Sequence, residues 1–213
     1  GNYVVGSPTW NDSSTVDAGA ATWGNGLTVT TGVVSATNSL VGSTTGDQVG
    51  WNVKALTNGN YVVLSQYWHN GGADEAGAAT WGNGSSGIVG PVTTGNSLVG
   101  GAAYNRVGAG SATALANGHY VVNSPQWDNG GLSDVGAATW LDGTTSTSSV
   151  VSAANSLIGS QTQDYVGFGT TALTNGNYVV RNTGWDNGGI LNAGAATWGD
   201  GTTGFIGVVS AAN

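Results

Sequence analysis

One unit occurs four times in this chain. Gly-x-Tyr-Val-Val begins at Gly1, Gly59, Gly118 and Gly176, so successive copies start 58, 59 and 58 residues apart. Gly-Ala-Ala-Thr-Trp begins at Gly19, Gly77, Gly136 and Gly194, and a Val-rich stretch ends at Asn38, Asn96, Asn155 and Asn213. A fixed period of this length restricts the chain to a repeat architecture, in which each unit buries its apolar face on its neighbours. The units run 1–58, 59–117, 118–175 and 176–213, the last one shorter.

The punctuation within a unit is that of strands. Val166 to Leu173 leads through Thr174-Asn175-Gly176-Asn177 into Tyr178-Val179-Val180, which reads as a hairpin on a type I′ Asn-Gly turn. A loop at Trp185-Asp186-Asn187-Gly188-Gly189 precedes a third strand, Gly194 to Trp198. After a tight turn at Gly199-Asp200-Gly201 comes a fourth strand, Phe205 to Ala211. No window has helical periodicity, and 39 glycines in 213 residues, against an average near 7%, oppose helix formation. The expected fold is all-β: a β-propeller or propeller-like array of four-stranded antiparallel blades, with a β-solenoid as the alternative. The paired alanines of strand three let neighbouring sheets approach, and Trp23, Trp81, Trp140 and Trp198 are expected to fill the gaps between them.

Composition removes several function classes. Lys54, Arg106 and Arg181 face eleven acidic residues, for a net charge of −8, so a phosphate-binding surface has almost nothing to build it with. Nucleic acid is not an expected partner, and no apolar run long enough for membrane insertion is present. There is no Cys, and His69 and His119 are the two histidines, so no metal and no cofactor is expected. A chain without Met reads as a mature form or a fragment of something longer. Its acidic, Lys-poor character is that expected of an extracellular or bacterial cell-surface protein.

The order of motifs resembles the FG-GAP repeat of integrin-like β-propellers. The matching segments are Val166-Gly167-Phe168-Gly169, Tyr120-Val121-Val122-Asn123-Ser124-Pro125 and Gly136-Ala137-Ala138-Thr139-Trp140. The unit also resembles repeats of large bacterial surface proteins of the filamentous-haemagglutinin type, over the whole chain. The resemblance implies blades around a ring, with ligands at the loops between strands two and three. Calcium-binding members of the FG-GAP family carry Asp-x-Asp-x-Asp-Gly between strands one and two. The corresponding turns here, at 57–60, 116–119 and 174–177, hold no carboxylate, so a calcium site of that kind is not expected.

The candidate ligand site is the loop after strand two, with Trp10, Trp68, Trp127, Asp128, Asn129, Trp185, Asp186 and Asn187. A Trp ring stacks on the C–H face of a pyranose, while a neighbouring carboxylate and amide bind its hydroxyls. The competing reading makes each Trp a plug at the end of the blade and Asp-Asn-Gly-Gly a turn. Asp74, Glu75, Asp134 and Asp164 read as loop acids serving solubility, or a weak cation site, and His69 and His119 as surface residues. No Gly-x-Ser-x-Gly elbow, Gly-Lys-Ser/Thr loop or facing carboxylate pair suggests an enzyme.

These features lead to the expectation of a non-enzymatic extracellular adhesin or binding module, carbohydrate-binding through its repeated Trp-Asp-Asn loops, with a glycan or host or cell-surface ligand as partner and avidity from repetition. The alternative is a structural spacer or self-assembling unit. The first unit opens at strand two and the last lacks the counterpart of 39–58. That leaves sheet edges open to pairing, so a homo-oligomer or a longer repeat array is expected.

Overall fold

The structure, a computed structural model, describes residues 1–28 and 30–213. In chain order the strands are β1 (Tyr3–Ser7), β2 (Ala20–Gly24), β3 (Ser39–Val41), β4 (Asn52–Ala55), β5 (Tyr61–Ser65), β6 (Ala78–Gly82), β7 (Gly90–Pro91), β8 (Ser97–Val99), β9 (Ala112–Ala114), β10 (Tyr120–Ser124), β11 (Ala137–Leu141), β12 (Ser149–Val150), β13 (Leu157–Ile158), β14 (Gly169–Ala172), β15 (Tyr178–Asn182), β16 (Ala195–Gly199) and β17 (Gly207–Val208). Among the described residues there is no helix, and the fold is all-β. Four small sheets follow the four repeats, in the orders β1-β2-β3-β7, β4-β5-β6-β8-β12, β9-β10-β11-β13-β17 and β14-β15-β16.

Each of the two middle sheets has a four-stranded antiparallel core and a fifth strand lent by the following repeat. β7 pairs in parallel with β3, β12 with β8, and β17 with β13. The expected fourth strand therefore needs correcting: Gly207–Val208, inside the predicted Phe205–Ala211 strand, leaves its own unit and extends the preceding sheet. The strand that completes each sheet is Ser39–Val41, Ser97–Val99 or Leu157–Ile158, just past the Val-rich stretch. It is held there by a buried hydroxyl pair across the strands, Thr80 Oγ1 to Ser97 Oγ at 2.7 Å and Thr139 Oγ1 to Ser156 Oγ at 2.8 Å. An asparagine closes the turn before it: Asn96 Oδ1 accepts the Thr93 amide at 2.9 Å, and its Nδ2 donates to the Pro91 carbonyl at 3.0 Å.

The hairpin turns also differ from expectation. The Gly59 amide donates to the Leu56 carbonyl at 3.2 Å and the Leu56 amide to the Asn60 carbonyl at 2.8 Å. The loop is thus three residues long, with Gly59 alone at positive φ (89°). This is a type I turn closed by a left-handed glycine, not a two-residue type I′ turn, and the same bonds recur at 115–119 and 173–177. Asn58 Nδ2 donates to the carbonyls of Gly118 (3.1 Å) and Gly143 (2.7 Å) in turns of the next sheet.

Three apolar clusters sit at the three boundaries between consecutive sheets. Ala21 and Leu40 meet Tyr61, Val63, Ala78 and Val99 at the first. Val62, Leu64, Ala79 and Leu98 meet Tyr120, Val122, Ala137 and Ile158 at the second. Val121, Ala138 and Leu157 meet Tyr178 and Val180 at the third. The inner strands of the middle sheets are therefore covered on both faces, and every residue of β5 and β10 is buried. Each Val or Leu so placed contributes about 1.5–3 kcal/mol relative to exposure. The outer strands lack that second partner: Tyr3 and Val5 are 46% and 50% exposed.

Polar contacts repeat across the same boundaries. The indole N–H of Trp23 donates to the Gly84 carbonyl at 3.0 Å, that of Trp81 to Gly143 at 2.9 Å and that of Trp140 to Gly201 at 3.0 Å. Trp198, the fourth of the series, is 50% exposed. In three of the four sheets a tyrosine ring lies over the glycine that ends strand three, while the third sheet has Leu141 there. A Cβ at Gly82 would enter the Tyr61 ring, and one at Gly199 the Tyr178 ring, which is why glycine stands there.

Candidate functional site

The loops between the second and third strands gather at one end of the sheets, together with the segments that follow β3, β8 and β13. Short parallel runs of backbone bonds tie the two sets together. The Gln48 amide donates to the Asp17 carbonyl at 3.0 Å, Arg106 to Glu75 at 3.1 Å and Tyr165 to Asp134 at 3.0 Å. All six of these residues are left-handed, with φ between 43° and 53°. Such a conformation costs each about 1–2 kcal/mol and persists because the flanking bonds and packing over-determine it. The backbone of the loop face is thus tied by hydrogen bonds to the segments that follow β3, β8 and β13.

The predicted tryptophans do not lie open on it. Trp68, Trp127 and Trp185 are only 5%, 5% and 7% exposed and belong to the three boundary clusters, while Trp10 is half-buried. Their backbones close the loops: the Gly77 amide donates to the Trp68 carbonyl, Gly136 to Trp127 and Gly194 to Trp185, at 2.9, 2.9 and 3.0 Å. A ring sandwiched between sheets has no free face for a sugar, and the competing reading, a plug at the end of the blade, describes where these rings are.

The loop acids are also engaged. Asp128 Oδ1 accepts the Asp134 amide at 2.8 Å, Asp186 Oδ1 the Asn192 amide at 2.7 Å and Asn11 Oδ1 the Asp17 amide at 2.7 Å. Asn129 pairs with Leu132, and Asn187 with Ile190, across tight Gly-Gly turns, and both asparagines are exposed. Trp68, Trp127 and Trp185 belong to three different boundary clusters, so the fold places these groups at separate boundaries. Asp134 titrates above the usual carboxylate range, first because it is partly buried and second because Asp128 is beside it.

Two further expectations are corrected. Asp164 is not a solvated loop acid but wholly buried, where it accepts the amides of Ser160 (2.7 Å), Gln161 (2.9 Å) and Asp186 (3.1 Å). Its counterpart Asp47, also wholly buried, accepts the Ser43 and Thr44 amides at 2.8 Å each and the His69 amide at 2.9 Å. These carboxylates clip one repeat to the loop of the next, paired with several N–H donors as a buried charge must be. The second correction concerns the histidines. The His69 ring is mostly covered, with Nδ1 2.8 Å from Asp47. His119 Nδ1 accepts the Gly143 amide at 3.2 Å, and its ring packs 5.0 Å from that of Trp140. Among the described residues no group of three or more His, Asp or Glu side chains is placed to hold a metal ion.

The exposed aromatic groups of the loop face are others. Trp51, Tyr104 and Phe168 are 49%, 56% and 61% exposed, and the half-buried Tyr67 packs edge-on to Trp51 at 5.1 Å, with the Arg106 guanidinium 5.8 Å from its ring centre. Arg106 Nε also donates to Glu75 at 2.7 Å. These residues break the repeat pattern instead of following it. Position 51 is Trp, its counterpart two units later is Phe168, and Tyr67 becomes Gly184. Departure from the repeat was the signal available in the sequence.

The fold and contacts define a tandem all-β repeat protein whose units complete one another's sheets. The chain belongs to the family described as a repeat of unknown function (DUF5650), which matches residues 1–51, 55–109, 114–168 and 172–213. The family shown is this repeat and not FG-GAP. No curated protein matches the chain.

Proposed function

We propose that this chain is a non-enzymatic structural array: propeller-like blades that stack on one another and carry a loop face along the outside of a bacterial cell. The observation that supports this best is the set of indole bonds from Trp23, Trp81 and Trp140 to the following repeat, one at each boundary. Strand lending adds to it, since each repeat contributes two residues to the sheet before it. Interactions of this kind specify a neighbour on each side. In such arrays stability is a sum of unit and interface terms. A second copy is a natural partner, because Trp198 lies half-exposed on one outer face.

The test is a series of proteins with one repeat removed or one copy of residues 118–175 duplicated. Small-angle scattering should show the longest dimension growing by a constant increment per repeat, and denaturation midpoints should rise along the series. Constant dimensions, or stability independent of repeat number, would refute an open stack and favour a closed ring.

A further inference from the structure

The boundary between the third and fourth sheets has, on the loop face, a cleft that the corresponding boundary between the first and second has filled. At the first boundary the Tyr67 ring stands against Trp51. Two units later Trp51 becomes Phe168 and Tyr67 becomes Gly184, so one aromatic ring remains and its companion is missing. The space is a cleft of about 460 Å³ with Phe168 and Tyr165 on its walls and Gly184 among its lining residues. Phe168 is 61% exposed, so a ring face is available here, as it is not at the buried Trp68, Trp127 or Trp185.

We propose that this cleft binds one uncharged pyranose ring of a glycan. The vacated volume is that of a six-membered ring against an aromatic face, the arrangement in which sugar C–H groups pack on an aromatic side chain. Around it stand Gln126, Thr183 and Asn192, with Pro125 completing the lining. Two amides and a hydroxyl supply both donors and acceptors for vicinal hydroxyls, in a mostly apolar recess of the sort small ligands occupy. Among the described residues no Lys, Arg, Asp or Glu lines the cleft, and the chain carries a net charge of −8, so an acidic sugar is disfavoured. A plain aromatic ligand would leave both amides without partners, which cost affinity when they lose water.

The experiment uses the full chain and saturation-transfer difference NMR, with methyl β-D-glucoside, methyl β-D-galactoside, methyl α-D-mannoside, N-acetylglucosamine and phenol as probes. At least one sugar should bind, with transfer strongest at the C–H groups of one ring face. Gly184→Tyr, which restores the ring present at the first boundary, and Phe168→Ala, which removes the stacking face, should each weaken binding about tenfold with the thermal transition unchanged. If Gly184→Tyr disturbs folding, Phe168→Ala decides alone. Tyr67→Gly should open a second cleft beside Trp51 and raise the bound amount. The proposal is overturned if none of the sugars binds, if phenol alone binds, or if sugar binding survives Phe168→Ala unchanged.

Discussion

Replacing Trp81 by Phe tests the boundary contacts most directly. The indole N–H is lost, and with it the 2.9 Å bond to the Gly143 carbonyl. That oxygen keeps two other donors, Asn58 Nδ2 at 2.7 Å and Asn60 Nδ2 at 2.9 Å, so no buried acceptor is orphaned and the bond itself costs about 1 kcal/mol. The smaller ring gives up apolar contact with the second boundary cluster, against which Trp81 packs, for about another 1 kcal/mol. The total of about 2 kcal/mol is a factor of roughly thirty in the folding equilibrium. Trp198→Phe is the internal control. Trp198 is 50% exposed and makes no such bond among the described residues, so its replacement should stay within about 0.5 kcal/mol. Because repeat arrays unfold in more than one step, the assay is amide hydrogen exchange at β6 and β11, alongside urea denaturation. Equal losses for the two variants would show that the indole bonds do not hold the repeats together.

Three further expectations follow from particular contacts. Tyr61 Oη accepts the Ile88 amide at 3.2 Å, whereas the buried Tyr120 Oη has no partner, so Tyr61→Phe should destabilise by about 1 kcal/mol and Tyr120→Phe should be neutral or stabilising. A clear loss in urea midpoint for Tyr120→Phe would contradict this. Asp164→Asn puts an amide N–H₂ against backbone donors and should cost about 1–3 kcal/mol. The protein should still fold, because Asn105 already occupies the same position in a sister repeat, with its own Nδ2 buried and unpartnered. Burial pushes the Tyr178 hydroxyl up to about 12 from an ordinary 10.0. The fold favours the neutral form, so this contribution to stability is complete below pH 10 and is lost as pH rises towards 12. Following tyrosinate absorbance against unfolding should place both in that window. A Tyr178 that titrates at its ordinary value would break the link.

Sequence by itself determined the period, the strand content and the roles that depend on local chemistry. Tyr-Val-Val and Ala-Ala-Thr-Trp recur at positions that face neighbouring units, and in the two middle sheets these residues are buried or half-buried at the boundaries. Asn-Gly marked the hairpins but not their three-residue form, which recurs at 56–60, 115–119 and 173–177. What only the tertiary structure decided was pairing between units. Gly90–Pro91, Ser149–Val150 and Gly207–Val208 carry no local mark of the sheet they join, since a two-residue parallel pairing is set by where the previous sheet's edge lies. The same holds for Trp68, Trp127 and Trp185. A Trp beside Asp and Asn has the chemistry of a sugar site, and the approach of two sheets turned it into core. The cleft beside Phe168 arises in the opposite way: a glycine replaces a tyrosine two units along, and packing against a neighbour leaves the space unfilled.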